Sequence, residues 1–405
     1  MKTTLARFSA LMTVLCIAIT LNSQNVNIGN FTDLELRNNV IYVAGQSGIA
    51  ALKPDMTVIW EKALPETTIR LLDVDDQFIA FSSYIYKGKI GKVFSSFSSL
   101  WDKQIFTDNT VGLLDLNGNL SWTTKFQGDS KLSIPAIGKG LVAVSSNDSL
   151  YTFDVSTGAL KMKTYSNLKF IFGKQIKDHA TPNKPLLMPD AIYSTAPFRF
   201  AKIDYTGKIV RDKNMYGLLS PLPVLTTEPM VFENYIYISN APTGQRGQKD
   251  GVARLFCIKD NLDKEWDEFV DKSGQTGASS LVHNSSNIFV ATNFDVMAFT
   301  PKGKKLWEMN KKIGLPLLRG VRYSGSNMGV KTSNGNFMCA DDNNVYLASG
   351  EKVKKEFNNN IMVIDAVKGQ FVKNIDIPEV IVDMHMMNNM LVVITEANKV
   401  MVINI

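Results

Sequence analysis

Cysteine is scarce: three residues in 405, Cys16, Cys257 and Cys339, with no adjacent pair and no Cys-x-x-Cys spacing. A disulfide-dense scaffold and a cysteine-held metal centre are therefore excluded. Cys257 and Cys339 stand among apolar, strand-like neighbours and read as buried free thiols. Histidine is equally sparse. His179, His283 and His385 lie far apart without HExxH spacing and read as isolated side chains, not metal ligands. Gly88-Lys89 and Gly138-Lys139 lack the flanking residues of a phosphate loop and read as turns. Asp73, Asp75 and Asp76, like Asp341 and Asp342, lack the glycine and glutamate positions of a calcium-binding EF-hand loop. Long apolar runs are missing beyond Phe8 to Leu21, which is shorter than the roughly 20 residues that a membrane span requires. Lys2 and Arg7 precede that run and Asn22-Ser23-Gln24-Asn25 ends it, the order of a secretory signal peptide. Residues 1–23 are expected to be a removed leader containing Cys16, and 24–405 an exported chain, periplasmic or at the cell surface, with no transmembrane segment.

What is present is a repeat. A short apolar run, a polar gap, a second apolar run ending in Asp or a substitute, a turn and a third run recur eight times. The first runs are Val40 to Ala44, Phe78 to Phe81, Leu141 to Ser145, Ala191 to Ser194, Tyr235 to Ile238, Ile288 to Ala291, Val345 to Ala348 and Met390 to Ile394. The second runs follow in step, from Gly48 to Leu52 in the first unit to Val400 to Asn404 in the last. Their length and β-branched content argue for strands, and the Gly and Pro between them rule out long helices. Asp115 and Gly118 lead to Trp122, and Thr300 and Gly303 lead to Trp307, at one seven-residue offset; Lys53 to Trp60 repeats the offset without the glycine. A turn one residue longer, at Asp154 to Gly158 and Asp365 to Gly369, puts Met162 and Lys373 where tryptophan would stand. Asp bonds back to the turn backbone, Gly accepts positive φ, and the aromatic covers a sheet flank.

These blades, reading roughly apolar strand, Asp, Gly, Trp, resemble the PQQ-like (quinoprotein alcohol dehydrogenase-like) repeat family over nearly the whole exported chain. The resemblance implies an all-β fold, a single closed β-propeller of four-stranded blades. Eight units favour eight blades, seven being the count if an irregular early unit is a cap. Inner strands are expected at Ser133 to Ile137, Leu222 to Thr226, Ser279 to His283 and Ile381 to Met386, and Val26 to Ile28 is expected to supply the fourth strand of the closing blade. The family includes quinone-dependent dehydrogenases and BamB-like non-catalytic members. The vicinal cysteines that the resemblance requires of a quinoenzyme are absent, so no cofactor is expected and the chain reads as a binding or scaffold protein. A glycan hydrolase is the rival enzyme class, its chemistry requiring two convergent carboxylates.

The long insertions fall at 84–110, 165–190, 241–251, 310–325 and 351–360, all of which map to the rim carrying the turns from second to third strand and the crossings between blades. Together they hold seventeen Lys and Arg against seven Asp and Glu, an excess of ten positive charges where the whole chain carries +6. Binding is therefore expected on this face, by Lys87, Lys89, Lys92, Trp101 and Lys103 of the first insertion, with Lys174, Lys177, Arg246, Lys249, Arg319 and Arg322 from the others. The expected partner is a protein or an anionic glycan or lipid headgroup of the cell envelope, not nucleic acid.

Overall fold

All eight repeat units fold as antiparallel sheets. The computed structural model describes residues 26–64, 69–90, 103–126, 131–146, 149–165, 183–196, 199–214, 224–225, 227–241, 253–271, 280–292, 295–310, 337–353, 356–395 and 397–405. No helix among them is long and apolar enough to cross a membrane. Blade 1 pairs Phe31–Arg37, Val40–Gly45, Gly48–Leu52 and Val58–Ala63 in that order from the axis outward, and the same four-strand order recurs through blade 7. The chain is an eight-bladed β-propeller.

Each first run is the second strand of a blade and each second run its third strand, with Ile288–Ala291 and Asp295–Phe299 as the plainest pair. These strands are apolar along their length because neighbouring blades cover both faces: Gly48–Leu52 and Leu141–Ser145 are buried at every position. Outer strands have one neighbour and alternate instead, as in Val58–Ala63. The inner strand expected at 222–226 is broken in two: Val224–Leu225 pairs Asn240 and Ala241, whereas Met230–Phe232 pairs Tyr235 to Tyr237.

The repeated tryptophan locks one blade to the next. Trp60, Trp122, Trp266 and Trp307 donate their indole N–H to Leu116, Val155, Pro301 and Ala366 of the following blade's outer turn, at 2.7 to 2.9 Å. Each ring lies on the turn glycine, Gly118, Gly158, Gly303 or Gly369, whose φ is between +67° and +84° and where a Cβ would sit 2.4 to 2.8 Å from the indole. Glycine is therefore required twice over, by the left-handed backbone and by the ring. Met162 covers Gly207 in the same manner. At turns that receive neither an indole nor Met162, a turn residue is itself buried: Leu262 (φ 64°) packs against blade 4, whose Tyr193 hydroxyl donates to Asp260 O at 2.6 Å and whose Arg211 pairs with Asp263, and Met56 (φ 70°) packs against blade 8. Both side chains are buried. The first turn of the chain accordingly has no glycine.

Among the described residues blade 8 has three strands, Ile381–Met387, Met390–Thr395 and Val400–Asn404. Val26 to Ile28, expected as its fourth, does not join that ladder. Ile28 and Asn30 offer their carbonyls to Ser47 N–H (2.8 Å) and Gln46 N–H (3.0 Å), which draws the segment onto the turn of blade 1. Val26 and Ile28 are buried there with Met56, Val400 and Val402, so the segment still seals blade 8 to blade 1, as packing and not as a strand. The leader, 1–23, lies outside the described residues.

Candidate functional site

Inner strands turn alternate side chains toward the propeller axis, and among the described residues several of those side chains are charged. Asp33 and Glu35 stand on the inner strand of blade 1, Asp73 on that of blade 2, and Asp383 and His385 on that of blade 8, while Lys184 precedes the inner strand of blade 4 and Glu228 lies between the two inner segments of blade 5. Asp33 accepts the Leu72 N–H of blade 2 at 2.6 Å, and Asp73 accepts the Ile137 N–H of blade 3 at 2.8 Å. Glu228 accepts the backbone N–H of Lys184 at 2.6 Å, while the Lys184 ammonium bonds Asp73 across the axis at 2.6 Å. His385 Nε2 lies 3.2 Å from Asp383 Oδ1. Carboxylates thus satisfy backbone donors that strand pairing leaves open along the axis, and fasten adjacent blades while doing so.

Burial and mutual repulsion alter how these groups hold protons. Burial, reinforced by Asp383 and Glu35, lifts Asp33 well above the ordinary carboxylate range. Burial also raises Glu35, against the opposing fields of Lys184 and His385. For His385 burial works the other way, but Asp383, Glu35 and Asp33 together outweigh it and carry the imidazole up to about 9. Lys184 is raised too, since Asp73, Glu35 and Glu228 overcome its burial. Among the described residues, the surrounding carboxylates thus favour the charged forms of Lys184 and His385. No group of three or more His, Cys, Asp or Glu among the described residues is arranged to hold a metal ion. The donor set does not fit a calcium-held quinone either: Asp33 and Asp73 are committed to backbone N–H groups, Asp73 and Asp383 to cations, and there are no adjacent cysteines.

The sequence pointed to the rim rather than to this axis. Lys184, counted with the basic insertions, turns inward. A signal was available: Asp33 and Glu35 alternate with Leu34 and Leu36, and Asp383 and His385 with Met384 and Met386, which places charge on one face of an inner strand. His283 is a packing residue, stacked on Phe232 at 4.4 Å with Nδ1 at Asn284 O. Cys257 and Cys339 are buried free thiols, and burial pushes Cys257 up to about 11.

On the rim, two of the expected insertions are β-arms. In blade 2 the pairing of Phe78–Ile90 with Lys103–Asp115 runs out to Ile90↔Lys103, although the inner strand stops at Tyr84 and the outer strand at Asn109. Lys87, Lys89 and Lys103 lie on this two-stranded arm. In blade 7 the pairing of Asn344–Val353 with Glu356–Asp365 continues to Val353↔Glu356, beyond an outer strand that stops at Asn360. Both arms leave from the turn between second and third strands, hence from the same rim. Lys92, Trp101, Lys174, Lys177, Arg246, Lys249, Arg319 and Arg322 lie outside the described residues.

No protein-family model matches the chain, and no curated protein matches it. Solved structures do. BamB from Moraxella catarrhalis is 13% identical with a TM-score of 0.62, over 95% of this chain and 97% of that one. The computationally designed Ika8 protein is 14% identical with a TM-score of 0.60, over 95% and 98%. A catalytically inactive virginiamycin B lyase from Staphylococcus aureus, with quinupristin, is 10% identical with a TM-score of 0.50, over 96% and 99%. At such identities the likeness is one of fold, and it spans a lyase as well as BamB.

Proposed function

We propose that this protein is an exported, non-catalytic propeller that engages an anionic envelope partner through the rim bearing the two β-arms. The observation that carries the reading is the pair of arms in blades 2 and 7, which rise from the rim to which the sequence assigns the basic insertions, Lys184 excepted. A closed ring of interlocked blades is a rigid base for such projections, and loops on rigid scaffolds commonly carry binding. Likeness of fold to BamB supports a scaffold role without naming a partner.

The axial carboxylates favour one other reading, a propeller-fold hydrolase, because a raised Asp33 beside Glu35 and Asp383 resembles an acid and base pair. The binding reading is preferred because Asp33 is engaged by the Leu72 N–H.

Replacing Lys87, Lys89 and Lys103 together with glutamate should cut binding to vesicles of anionic phospholipid, or to anionic envelope glycan, at least about tenfold and flatten its salt dependence. Folding stability should move by less than about 0.5 kcal/mol. The same reversal at Lys208, an exposed residue of the opposite rim, is the control. Equal losses from both variants, measured by sedimentation over a salt series, would leave only nonspecific attraction. Trp101→Ala should weaken capture with the melting temperature unchanged if its ring is an interface anchor. Mass spectrometry of the exported protein should find its N-terminus near Gln24.

A further inference from the structure

We propose that the open edge of blade 8 is a docking site for one extended strand of a partner protein, apolar on the side toward blade 1 and acidic on the side toward blade 7.

In blades 1 to 7 the third strand gives its outward backbone groups to a fourth. In all seven, the residue that ends the third strand donates its N–H across the outer turn at 2.8 to 3.0 Å, as Asp154 does to Ala159 O and Asp365 to Gln370 O. Asn404 holds that position in blade 8, for it pairs Met390 as Asp154 pairs Leu141 and Asp365 pairs Asn344. No fourth strand meets it among the described residues. The register fixes which groups are left open. Ile405 N–H bonds Asn389 O at 2.9 Å, as Val155 N–H bonds Gly140 O in blade 3, so Ile403 and Met401 turn their backbone groups toward Met390–Thr395. Asn404, Val402 and Val400 therefore turn theirs outward. The side chains of this strand are covered, Val400 and Val402 against blade 1 and Met401 and Ile403 against blade 7. What the edge offers is a row of backbone donors and acceptors, the template for adding a strand.

A strand laid on that edge lies between two unlike walls. Toward blade 1 the wall is apolar: Met56 and Val58 stand there with Val26 and Ile28, packed on Val400 and Val402. Toward blade 7 stands Lys373. It pairs Val363, which packs on blade 8, so it shares the face turned to blade 8. Trp307 holds the same position in blade 6 and reaches the outer turn of the next blade. Lys373 is half-buried and has no ion pair among the described residues.

These walls select the occupant. Val26 to Ile28 runs along the blade 1 wall, but Ile28 O is taken by Ser47 N–H and the segment packs without joining the ladder. A second copy of the propeller does not fit edge to edge, because this edge is set back by one strand, about 4.8 Å, behind the outer strands of blades 7 and 1. A single strand fills that width. Its side chains alternate between the walls, aliphatic toward Met56 and Val58 and carboxylate toward the Lys373 ammonium. The site lies on the outer circumference and does not rest on the reading of the basic rim.

Residue-resolved amide exchange tests this with a peptide alternating valine and glutamate over one strand length, about six residues. In the protein alone, Val400, Val402 and Asn404 should exchange at least about tenfold faster than the paired Met401 and Ile403. Excess peptide should slow those three at least about tenfold, whereas its backbone N-methylated form, which cannot pair, should not. Lys373→Glu should abolish protection by this peptide and confer it on one alternating valine and lysine. Val402→Pro deletes an outward N–H and spares the ladder to Met390–Thr395, so Met401 and Ile403 should stay slow while the peptide no longer protects Asn404. Slow exchange at Val400, Val402 and Asn404 in the protein alone would mean that this chain or a second copy already covers the edge, and would overturn the proposal. So would absence of protection by the peptide, protection by the N-methylated form, or equal protection of Lys373→Glu and the unaltered chain. If Val402→Pro fails to fold, the two peptides and the surface change Lys373→Glu still decide it.

Discussion

Trp122→Ala should lower the stability of the ring by about 3 kcal/mol, at the low end of the range for emptying a large aromatic because the indole is only partly buried. The change removes the ring from Gly158, breaks a 2.7 Å bond to Val155 O and strips contact from Phe153. At an unfolding entropy of about 2.1 cal/mol/K per residue this is a fall of about 4 °C in the melting temperature of a cooperatively unfolding chain of this length. Gly158→Ala should cost as much or more. Its Cβ would lie 2.6 Å from the indole, and an L side chain at φ +70° adds about 1–2 kcal/mol of backbone strain. The two changes should not add. Once the indole is gone the new methyl has room, so the double variant should be less destabilised than the sum by at least about 1 kcal/mol. Additive losses in calorimetry would mean that ring and glycine do not form a lock. Leu262→Gly is the complementary case, because blade 4 sends no indole to fill the vacated space, so the variant should lose stability despite the relief of a left-handed leucine.

That lock shows what the sequence could and could not convey. The repeat was legible because turn chemistry is local: Asp, Gly and Trp at a fixed offset mark the same hairpin in unit after unit. The partners of each tryptophan were not, because Trp122 and Gly158 stand in different repeats and meet only when blades are set side by side in the closed ring. The eight second and third strands were likewise legible from their continuous apolar runs, because burial on both faces leaves no polar positions to confuse the pattern. The N-terminal segment was read correctly as apolar and misread as a strand, since two carbonyl bonds to Ser47 and Gln46 decide its path and neither is encoded locally.

The axial cluster was the larger omission. Each of its members looks ordinary in sequence, a charged residue on or beside a short strand, and Asp73 reads as part of a turn. Only the closing of the ring brings Asp33, Asp73 and Asp383 on inner strands near Lys184 and Glu228 beside them, and convergence of that kind depends on blade number and closure. The arms were half legible: insertion length and charge located them, while pairing out to Ile90↔Lys103 and Val353↔Glu356 needed the backbone.

Lys184→Met should be among the most damaging single changes at the axis, with an expected loss of about 3 kcal/mol. Removing one partner of a buried pair typically costs about 3–5 kcal/mol, and the lower figure applies because the lysine and aspartate side chains keep 29% and 16% of their exposure. The methionine fills similar space, so the loss is chiefly that of leaving Asp73 among Glu35 and Glu228 without its ammonium. Asp73→Asn should cost less, because an amide oxygen can still accept the Ile137 N–H. Combining the two changes removes the stranded carboxylate, so the double variant should recover at least about 1 kcal/mol relative to the sum of the singles. Chemical denaturation of the four proteins measures that coupling. Additivity within about 0.5 kcal/mol would show that the bond across the axis contributes nothing to holding blades 2 and 4 together, and the cluster would then have to be explained by what it binds.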